Sequence, residues 1–202
     1  MNFKVLEIAP DRLSDYAAIP MTLEVRSIFV AEEKDSGLGG LTLREEAVAE
    51  PYIKDYDSYE DLYINDKENC GPESWPKHFD ISNWGLFISY NDKKPVAAAA
   101  VAWNTAGVNM LEGRADIAVL WDIRVRPEFK CQGLGTMLLD HAARWARSKG
   151  CKLLKIETQN VNVPACRFYS RMGCHLGQIN RYGYYGHPPV SNEVMLIWYL
   201  DL

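Results

Sequence analysis

The order of apolar and polar segments predicts an α/β domain with a mixed sheet. Antiparallel strand-like segments come first, and the order strand–helix–strand–helix–strand–strand follows them. The chain has 202 residues, of which 48% are hydrophobic. Length and composition therefore predict a single domain over 1–202 with a substantial core.

Short strands and a short helix are predicted in the first quarter of the chain. Lys4 to Ala9 is typical of a strand, and Leu13 to Ala18 of a short helix. Glu24 to Val30 fits a strand or a helix, with the strand favoured. Lys34 to Gly40 is a glycine-containing loop, and Leu41 to Val48 is expected to be extended.

Four tyrosines follow at helical spacing: Tyr52, Tyr56, Tyr59 and Tyr63. This spacing predicts a helix face packed on the core. A second interpretation is a ring of aromatic side chains over a cationic substrate, which cation–π attraction favours. Different tyrosines could serve the two purposes.

The rest of the chain predicts the larger part of the sheet. Trp84 to Tyr90 and Val96 to Trp103 are typical of strands joined by the hairpin connection Asn91 to Lys94. Ile117 to Val125 is predicted as the long central strand. The segments that follow are a helix over Gly133 to Ser148, a strand over Lys152 to Thr158, a helix over Pro164 to Arg171, and strands over His175 to Arg181 and Val194 to Leu200.

The most informative motif joins the central strand to the helix after it. In the run from Phe129 to Leu139, the turn brings several backbone N–H groups and the positive end of a helix dipole to one place. Gly133 and Gly135 allow an anion to approach the backbone. The turn is therefore predicted to hold a diphosphate. A nucleotide P-loop and a dinucleotide fingerprint are excluded, because their lysine and third glycine are missing.

A second motif lies downstream. Asn162, Ala165 and Tyr169 are spaced by three and four residues, so they can share one helix face. Pro164 suits the first turn of that helix, and Gly173 suits its C-terminal end.

Together the two motifs resemble the GNAT superfamily of acetyl-CoA-dependent N-acetyltransferases. The pattern R/Q-x-x-G-x-G/A falls on Lys130, Gly133 and Gly135, with Lys130 in place of the usual Arg or Gln. The pattern N-x-x-A-x-x-x-Y-x-x-x-G falls on Asn162, Ala165, Tyr169 and Gly173. The resemblance implies a mixed, mostly antiparallel twisted sheet flanked by helices and splayed near its middle, with acetyl-CoA in the split as co-substrate.

Three further stretches are similar to the streptothricin acetyltransferases, which acetylate a cationic antibiotic. They are Pro51 to Tyr56, Glu157 to Gln159 with Asn162 to Cys166, and Val190 to Glu193 before Trp198-Tyr199. The resemblance implies a small cationic amine as the acceptor. It also implies acceptor-binding roles for Tyr52, Asp55 and Tyr56. The segment from Ile64 to Asn83 is longer than this group leads one to expect.

The superfamily resemblance also implies which residues bind the co-substrate. The pyrophosphate is expected at the backbone of Lys130, Cys131, Gln132, Gly133, Leu134, Gly135 and Thr136. Asn162, with Ala165 and Phe168 on the same helix, is expected at the pantetheine or diphosphate arm. The N–H groups that polarise the thioester are expected at Ile123, Arg124 and Val125.

Three side chains are candidates for proton transfer. Tyr169 is the candidate acid for the leaving thiolate, because a phenol with a pKa of roughly 10 is protonated at neutral pH. Glu157 and Asp122 compete as the base that deprotonates the ammonium. Glu157 is slightly favoured through its Glu-Thr-Gln context. Either carboxylate could instead only anchor the substrate's ammonium.

Charge and cysteine content exclude several classes of protein. The net charge of −5 disfavours nucleic-acid binding, and no apolar run is long enough to span a bilayer. The five cysteines are expected to be reduced thiols of a cytoplasmic protein, because they are odd in number, form no C-x-x-C and follow no secretory signal. No metal is expected, because the histidines lack ligand spacing.

The segment from Glu45 to Asp61 carries seven acidic residues and one base, Lys54. Such a run usually marks a solvated face, although an acidic lip would concentrate a polycationic acceptor. Two other functions stay open: acetylation of a protein, peptide or metabolic polyamine amine, and acetyl-CoA binding without catalysis. Trp198, Tyr199 and Leu200 could form a homodimer interface or belong to the core.

Overall fold

The computed structural model describes residues 3–58, 71–188 and 190–202. These residues group into two compact units, each built from separate stretches of the chain. Among the described residues, the first unit takes in 3–21, 56–58, 71–156 and 201–202. The second takes in 22–55, 157–188 and 190–200.

The described residues form nine strands and four α-helices. The strands are β1 (Val5–Glu7), β2 (Thr22–Glu33), β3 (Leu41–Asp55), β4 (Gly85–Asn91), β5 (Lys94–Trp103), β6 (Ile117–Val125), β7 (Leu153–Gln159), β8 (His175–Asn180) and β9 (Met195–Asp201). The helices are α1 (Leu13–Ala17), α2 (Trp75–His78), α3 (Leu134–Ser148) and α4 (Val163–Arg171).

The sheet of the first unit runs in the order β1-β4-β5-β6-β7. Its pairs are antiparallel except β6 with β7, which are parallel. Strand β5 lies in the middle, and its residues Val96 to Ala102 are fully buried. Small side chains on this strand allow groups on both faces to pack closely, which explains the alanine run.

Each face of this sheet is covered. On one face, Ala98 and Ala100 pack in an aromatic and aliphatic core that includes Tyr16, Trp75 and Trp84. On the other face lies α3, whose buried side chains are Leu134, Leu138, Leu139, Ala142, Ala143 and Ala146. These positions recur at helical spacing, as the sequence predicts.

The second unit contains a long antiparallel hairpin of β2 and β3, paired from Thr22↔Asp55 to Glu33↔Leu41. It also contains α4, the end of β7, and the antiparallel pair β8 and β9. Strand β9 lies between β7 and β8. The backbone N–H of Phe29 in β2 donates to the carbonyl of Asn160 at 2.9 Å, which connects the hairpin to the end of β7.

The helical interpretation of the tyrosine spacing is wrong for the described residues. Strand β3 continues past Val48 to Asp55, so Tyr52 lies in a strand opposite Val25, and Tyr56 lies in the turn after it. Pairing with β2, about 30 residues earlier in the chain, overrides the local pattern. Tyr59 and Tyr63 lie outside the described residues.

The remaining elements follow the sequence expectation closely, and β6 has the predicted bounds. The fold prediction is confirmed: the protein is a mixed α/β structure with a mostly antiparallel sheet flanked by helices. Among the described helices, none combines the length and apolar character needed to cross a bilayer.

Candidate active site

Strand β6 is irregular in its middle. Ala100 of β5 lies opposite Asp122, but Val101 lies opposite Leu120, so Trp121 forms a bulge. The register with β7 runs from Ile117↔Leu153 to Leu120↔Ile156, whereas β6 continues to Val125. Ile123, Arg124 and Val125, the predicted polarising residues, therefore lie on the part of β6 beyond this register.

The turn after β6 has the backbone form of an anion cradle. Cys131 has φ of 60° and Gly133 has φ of 85°, both in the left-handed region. Gly133 is the N-cap of α3, a helix of 15 residues that starts at Leu134. Because glycine has no capping side chain, the first N–H groups of the helix, at Leu134 and Gly135, receive no cap from it. A Cβ at Gly133 would meet nothing within 4 Å, but the positive φ would strain it.

The side chain of Asp122 is buried in a network of the first unit. It accepts hydrogen bonds from the Tyr16 hydroxyl at 2.8 Å and from Arg124 at 2.9 and 2.6 Å. Arg124 also binds both carboxylate oxygens of Asp57, at 2.9 and 3.0 Å. Burial opposes the charge on Arg124, but the charge and hydrogen bonds of Asp122 outweigh it and raise its pKa above the ordinary value.

Helix α4 presents the second predicted motif. Asn162 is its N-cap, and its Oδ1 accepts a hydrogen bond from the backbone N–H of Ala165 at 3.2 Å. Phe168 is half-buried, with its ring 5.3 Å from that of Tyr169. Tyr169 is buried, and its ring lies 6.4 Å from that of Trp198. Asn162 thus caps the helix that carries Ala165, Phe168 and Tyr169.

The second candidate base lies at the end of β7. Glu157 is partly exposed, and its Oε1 accepts a hydrogen bond from the hydroxyl of Tyr184 at 2.7 Å. The side-chain amide of Gln159 donates to the same hydroxyl at 3.1 Å. Glu157 and Gln159 share a face because strand side chains alternate, and Thr158 between them accepts from Trp198 Nε1 at 3.0 Å.

A buried ion pair lies in the same unit. The Lys54 ammonium contacts both carboxylate oxygens of Glu193 at 2.5 Å, and the side chains are 2% and 14% exposed. Burial lowers the pKa of Lys54, and the bonds to Glu193 oppose that effect. The sequence analysis did not single out Tyr184. Lys54, Gln159 and Glu193 lie in the stretches that are similar to the streptothricin acetyltransferases, but no role was predicted for them.

Several of the described acidic residues from Glu45 onward form salt bridges with arginines. Glu45 binds Arg167, and Asp57 binds Arg124. Glu46 binds Arg44 within β3. Because these salt bridges offset the negative charge of the carboxylates, they favour a solvated face over a strongly negative lip at these positions. Glu60 and Asp61 lie outside the described residues.

The predicted acceptor-binding residues occupy the end of β3 and the turn after it. Tyr52 is 42% exposed, and Asp55 pairs with Thr22 at the base of the hairpin. Both belong to the second unit. Tyr56 belongs to the first unit, where its backbone N–H donates to the carbonyl of Met21 at 3.0 Å.

Four cysteines fall in the described ranges, and they are free thiols. Burial raises the pKa of Cys166 and of Cys174 to about 11, so these two are inert packing residues at neutral pH. Cys131 is exposed. The histidine, cysteine and carboxylate side chains of the described residues form no group of three that could hold a metal ion.

The chain is similar to several known acetyltransferases over different shares of its length. Streptothricin acetyltransferase A of Bacillus subtilis (strain 168) is 27% identical over 161 residues, covering 80% of each chain. The streptothricin acetyltransferase of Escherichia coli is 28% identical over 196 residues, covering 96% of this chain and 94% of the relative. That of Streptomyces lavendulae is 46% identical over 52 residues, 26% of this chain and 28% of the relative.

Solved structures show the same fold. Nourseothricin acetyltransferase has a TM-score of 0.72 at 23% identity, covering 100% of this chain and 99% of the other. A putative streptothricin acetyltransferase from Bacillus anthracis str. Ames, in complex with acetyl coenzyme A, has a TM-score of 0.71 at 23% identity, with 100% and 98% covered.

The profile of the acetyltransferase (GNAT) family matches residues 56–174, more than half of the chain. The match contains the bulged strand β6, the left-handed turn and all of α4. This protein is therefore an acetyltransferase of the GNAT family.

Proposed function

We propose that this enzyme transfers the acetyl group of acetyl-CoA to a primary amine of a small cationic acceptor, streptothricin being the first candidate. The observation that carries the proposal is the left-handed turn before α3, in a chain that aligns over 96% of its length with a streptothricin acetyltransferase. Acetylation of such an antibiotic would give resistance to it. Thiols that are free in the described residues suit a cytoplasmic enzyme.

Acetyl-CoA fits the turn by its chemistry. Its diphosphate needs backbone donors and room to approach them, and the turn around Gly133 at the N-terminus of α3 supports both. The backbone N–H of Lys130 instead donates to the carbonyl of Pro127 at 3.2 Å. Lys130 adds a positive charge, although it lacks the two-pronged geometry of an arginine. We assign the pantetheine arm to Asn162, Ala165 and Phe168 of α4.

The chemistry requires two proton transfers. Glu157 takes the proton from the acceptor's ammonium, so that the neutral amine can attack the thioester carbonyl. Within Ile123, Arg124 and Val125, the backbone N–H that points away from β5 stabilises the negative charge that develops on the carbonyl oxygen. Tyr169 gives its proton to the departing thiolate of coenzyme A, and solvent reprotonates the phenol.

The contacts of the two carboxylates favour Glu157 as the base. Asp122 is buried, and both of its carboxylate oxygens already accept hydrogen bonds within the fold, two of the three bonds coming from the guanidinium of Arg124. Glu157 is partly exposed, and its bond from Tyr184 comes from a neutral phenol. We therefore assign a structural role to Asp122.

Release of free thiol from acetyl-CoA tests the proposed function. The purified enzyme is offered streptothricin, a lysine-ended peptide, spermidine or no acceptor under the same conditions. We expect streptothricin to give the highest kcat/KM. Equal turnover of the peptide or of spermidine would assign the enzyme to protein or polyamine acetylation. Binding of acetyl-CoA without transfer to any amine would favour a non-catalytic module.

Replacing Tyr169 by phenylalanine tests the assigned acid. We expect kcat to fall by about 100-fold, because the thiolate then leaves without a positioned proton donor. The KM for acetyl-CoA should change by less than about twofold, since the lost hydroxyl acts on the transition state. Tyr199→Phe removes a hydroxyl from half-buried Tyr199 of β9 and serves as the control. A Tyr169→Phe enzyme with the kcat of the wild type would show that water supplies the proton.

A further inference from the structure

The connection between β8 and β9 brings a buried tyrosine to the end of β7. Tyr184 is 1% exposed, while its neighbours Tyr182 and Tyr185 are 72% and 79% exposed. Its hydroxyl lies between Gln159, which donates to it at 3.1 Å, and Glu157, to which it donates at 2.7 Å. Tyr184 therefore differs from its two neighbouring tyrosines in being buried and in contacting Glu157 and Gln159.

The direction of these hydrogen bonds is defined. The Gln159 amide occupies the phenol oxygen as an acceptor, so the phenol proton points to Glu157 Oε1. Burial, and then the negative charge of Glu157, raise the pKa of Tyr184 well above its ordinary value. The phenol therefore keeps its proton through the pH range in which a carboxylate base works.

Several contacts hold this segment in place. Gly183 lies so close to β9 that a Cβ there would be 2.8 Å from Cβ of Met195. Beyond Tyr184, Lys54 binds the carboxylate of Glu193, and the N–H of Val194 donates to Asn160 Oδ1 at 2.8 Å. A donor held on both sides can fix the orientation of a partly exposed carboxylate without moving itself.

We propose that Tyr184 is a positioning residue for the catalytic base: its hydroxyl, oriented by Gln159, holds the Glu157 carboxylate in the orientation that accepts the proton of the acceptor's ammonium. The inference rests on the proposed function of Glu157. Tyr184 acts through Glu157 and does not itself exchange a proton with the substrate. Its contribution is the orientation of the carboxylate and not a gain in basicity, because a hydrogen bond to the charged form makes a carboxylate a weaker base.

The test is the variant Tyr184→Phe, which removes one hydroxyl and keeps the buried ring. We expect kcat with the best acceptor of the panel to fall by about 10- to 100-fold, a smaller loss than removal of the base would cause. The KM for acetyl-CoA should stay within about twofold of the wild-type value. Tyr185→Phe makes the same change at the exposed neighbouring position and should have the wild-type kcat.

The pH profile of kcat/KM separates positioning from a purely structural role. The acidic limb of the Tyr184→Phe profile should move to higher pH, because a carboxylate that loses a hydrogen bond to its charged form is protonated more readily. Among the described residues, the charged groups Glu193 and Lys54 also lie near this pair, and the variant keeps both. A lower melting temperature with an unmoved acidic limb would overturn the positioning role.

The failures of the two proposals are distinguishable. If the wild-type enzyme acetylates an amine and Glu157→Gln is inactive, while Tyr184→Phe retains the wild-type kcat and pH profile, only the role of Tyr184 is overturned. If the wild-type enzyme transfers acetyl to none of the amines, the proposed function fails, and the role of Tyr184 fails with it.

Discussion

Replacing Glu157 by glutamine is expected to lower kcat by about 100- to 10,000-fold, the usual contribution of a positioned general base. The amide cannot take the proton of the acceptor's ammonium, so the nucleophilic amine is not formed at the site. Glutamine keeps the shape of the side chain and can still accept a hydrogen bond from Tyr184. The fold and the KM for acetyl-CoA should therefore be preserved.

Two comparison variants sharpen this prediction. Glu50→Gln changes an exposed carboxylate of β3 and should have the wild-type kcat. Asp122→Asn weakens the bonds of a buried network and should lower the free energy of unfolding. Each variant is assayed by thiol release and by urea denaturation. A folded Asp122→Asn enzyme without activity, beside an active Glu157→Gln enzyme, would assign the base to Asp122.

Replacing Arg124 by methionine is expected to lower the free energy of unfolding by about 3–5 kcal/mol, the cost of breaking a buried ion pair by removing one partner. The Arg124 side chain is 2% exposed and binds Asp122 and Asp57. Without it, the buried Asp122 carboxylate loses its positive partner and two hydrogen bonds. The backbone carbonyl of Ile19, to which Arg124 donates at 2.8 Å, also loses its bond.

An exposed ion pair provides the control for this variant. The Arg114 and Asp116 side chains are 49% and 37% exposed, so Arg114→Met should cost no more than about 1 kcal/mol. Urea denaturation followed by tryptophan fluorescence measures both variants. Similar midpoints for the two variants would show that the Asp122 network contributes little to stability. In that case Asp122 would again be a candidate for the general base.

Local sequence signals predicted the elements to which we assign binding of the co-substrate. The apolar run from Ile117 to Val125 is the strand β6, and Gly133 is the N-cap that starts α3. Asn162 and the proline after it start α4, as their capping preferences indicate. These features depend on residues within a few positions of one another, so a single sequence contains enough information to predict them.

Long-range contacts limited what the sequence could show about the acceptor side. The spacing of Tyr52 and Tyr56 resembled a helix, but pairing with β2 places Tyr52 in a strand. The acidic run allowed either a solvated face or an acidic lip, and the salt bridges of Glu45 and Asp57 with arginines that are distant in sequence favour the solvated face. Hydrogen bonds and ion pairs between distant segments thus change the meaning of a local pattern.

The sequence by itself determined the fold class, the turn before α3 and the candidates Glu157, Asp122 and Tyr169, because motif spacing carries that information. The tertiary structure added the long-range contacts on which we base the choice between the two carboxylates. It brings Tyr16, 106 residues away in the chain, to Asp122, and it brings Tyr184, 27 residues away, to Glu157. The surroundings of a carboxylate decide whether it serves structure or proton transfer, and those surroundings are formed by segments that meet only when the chain folds.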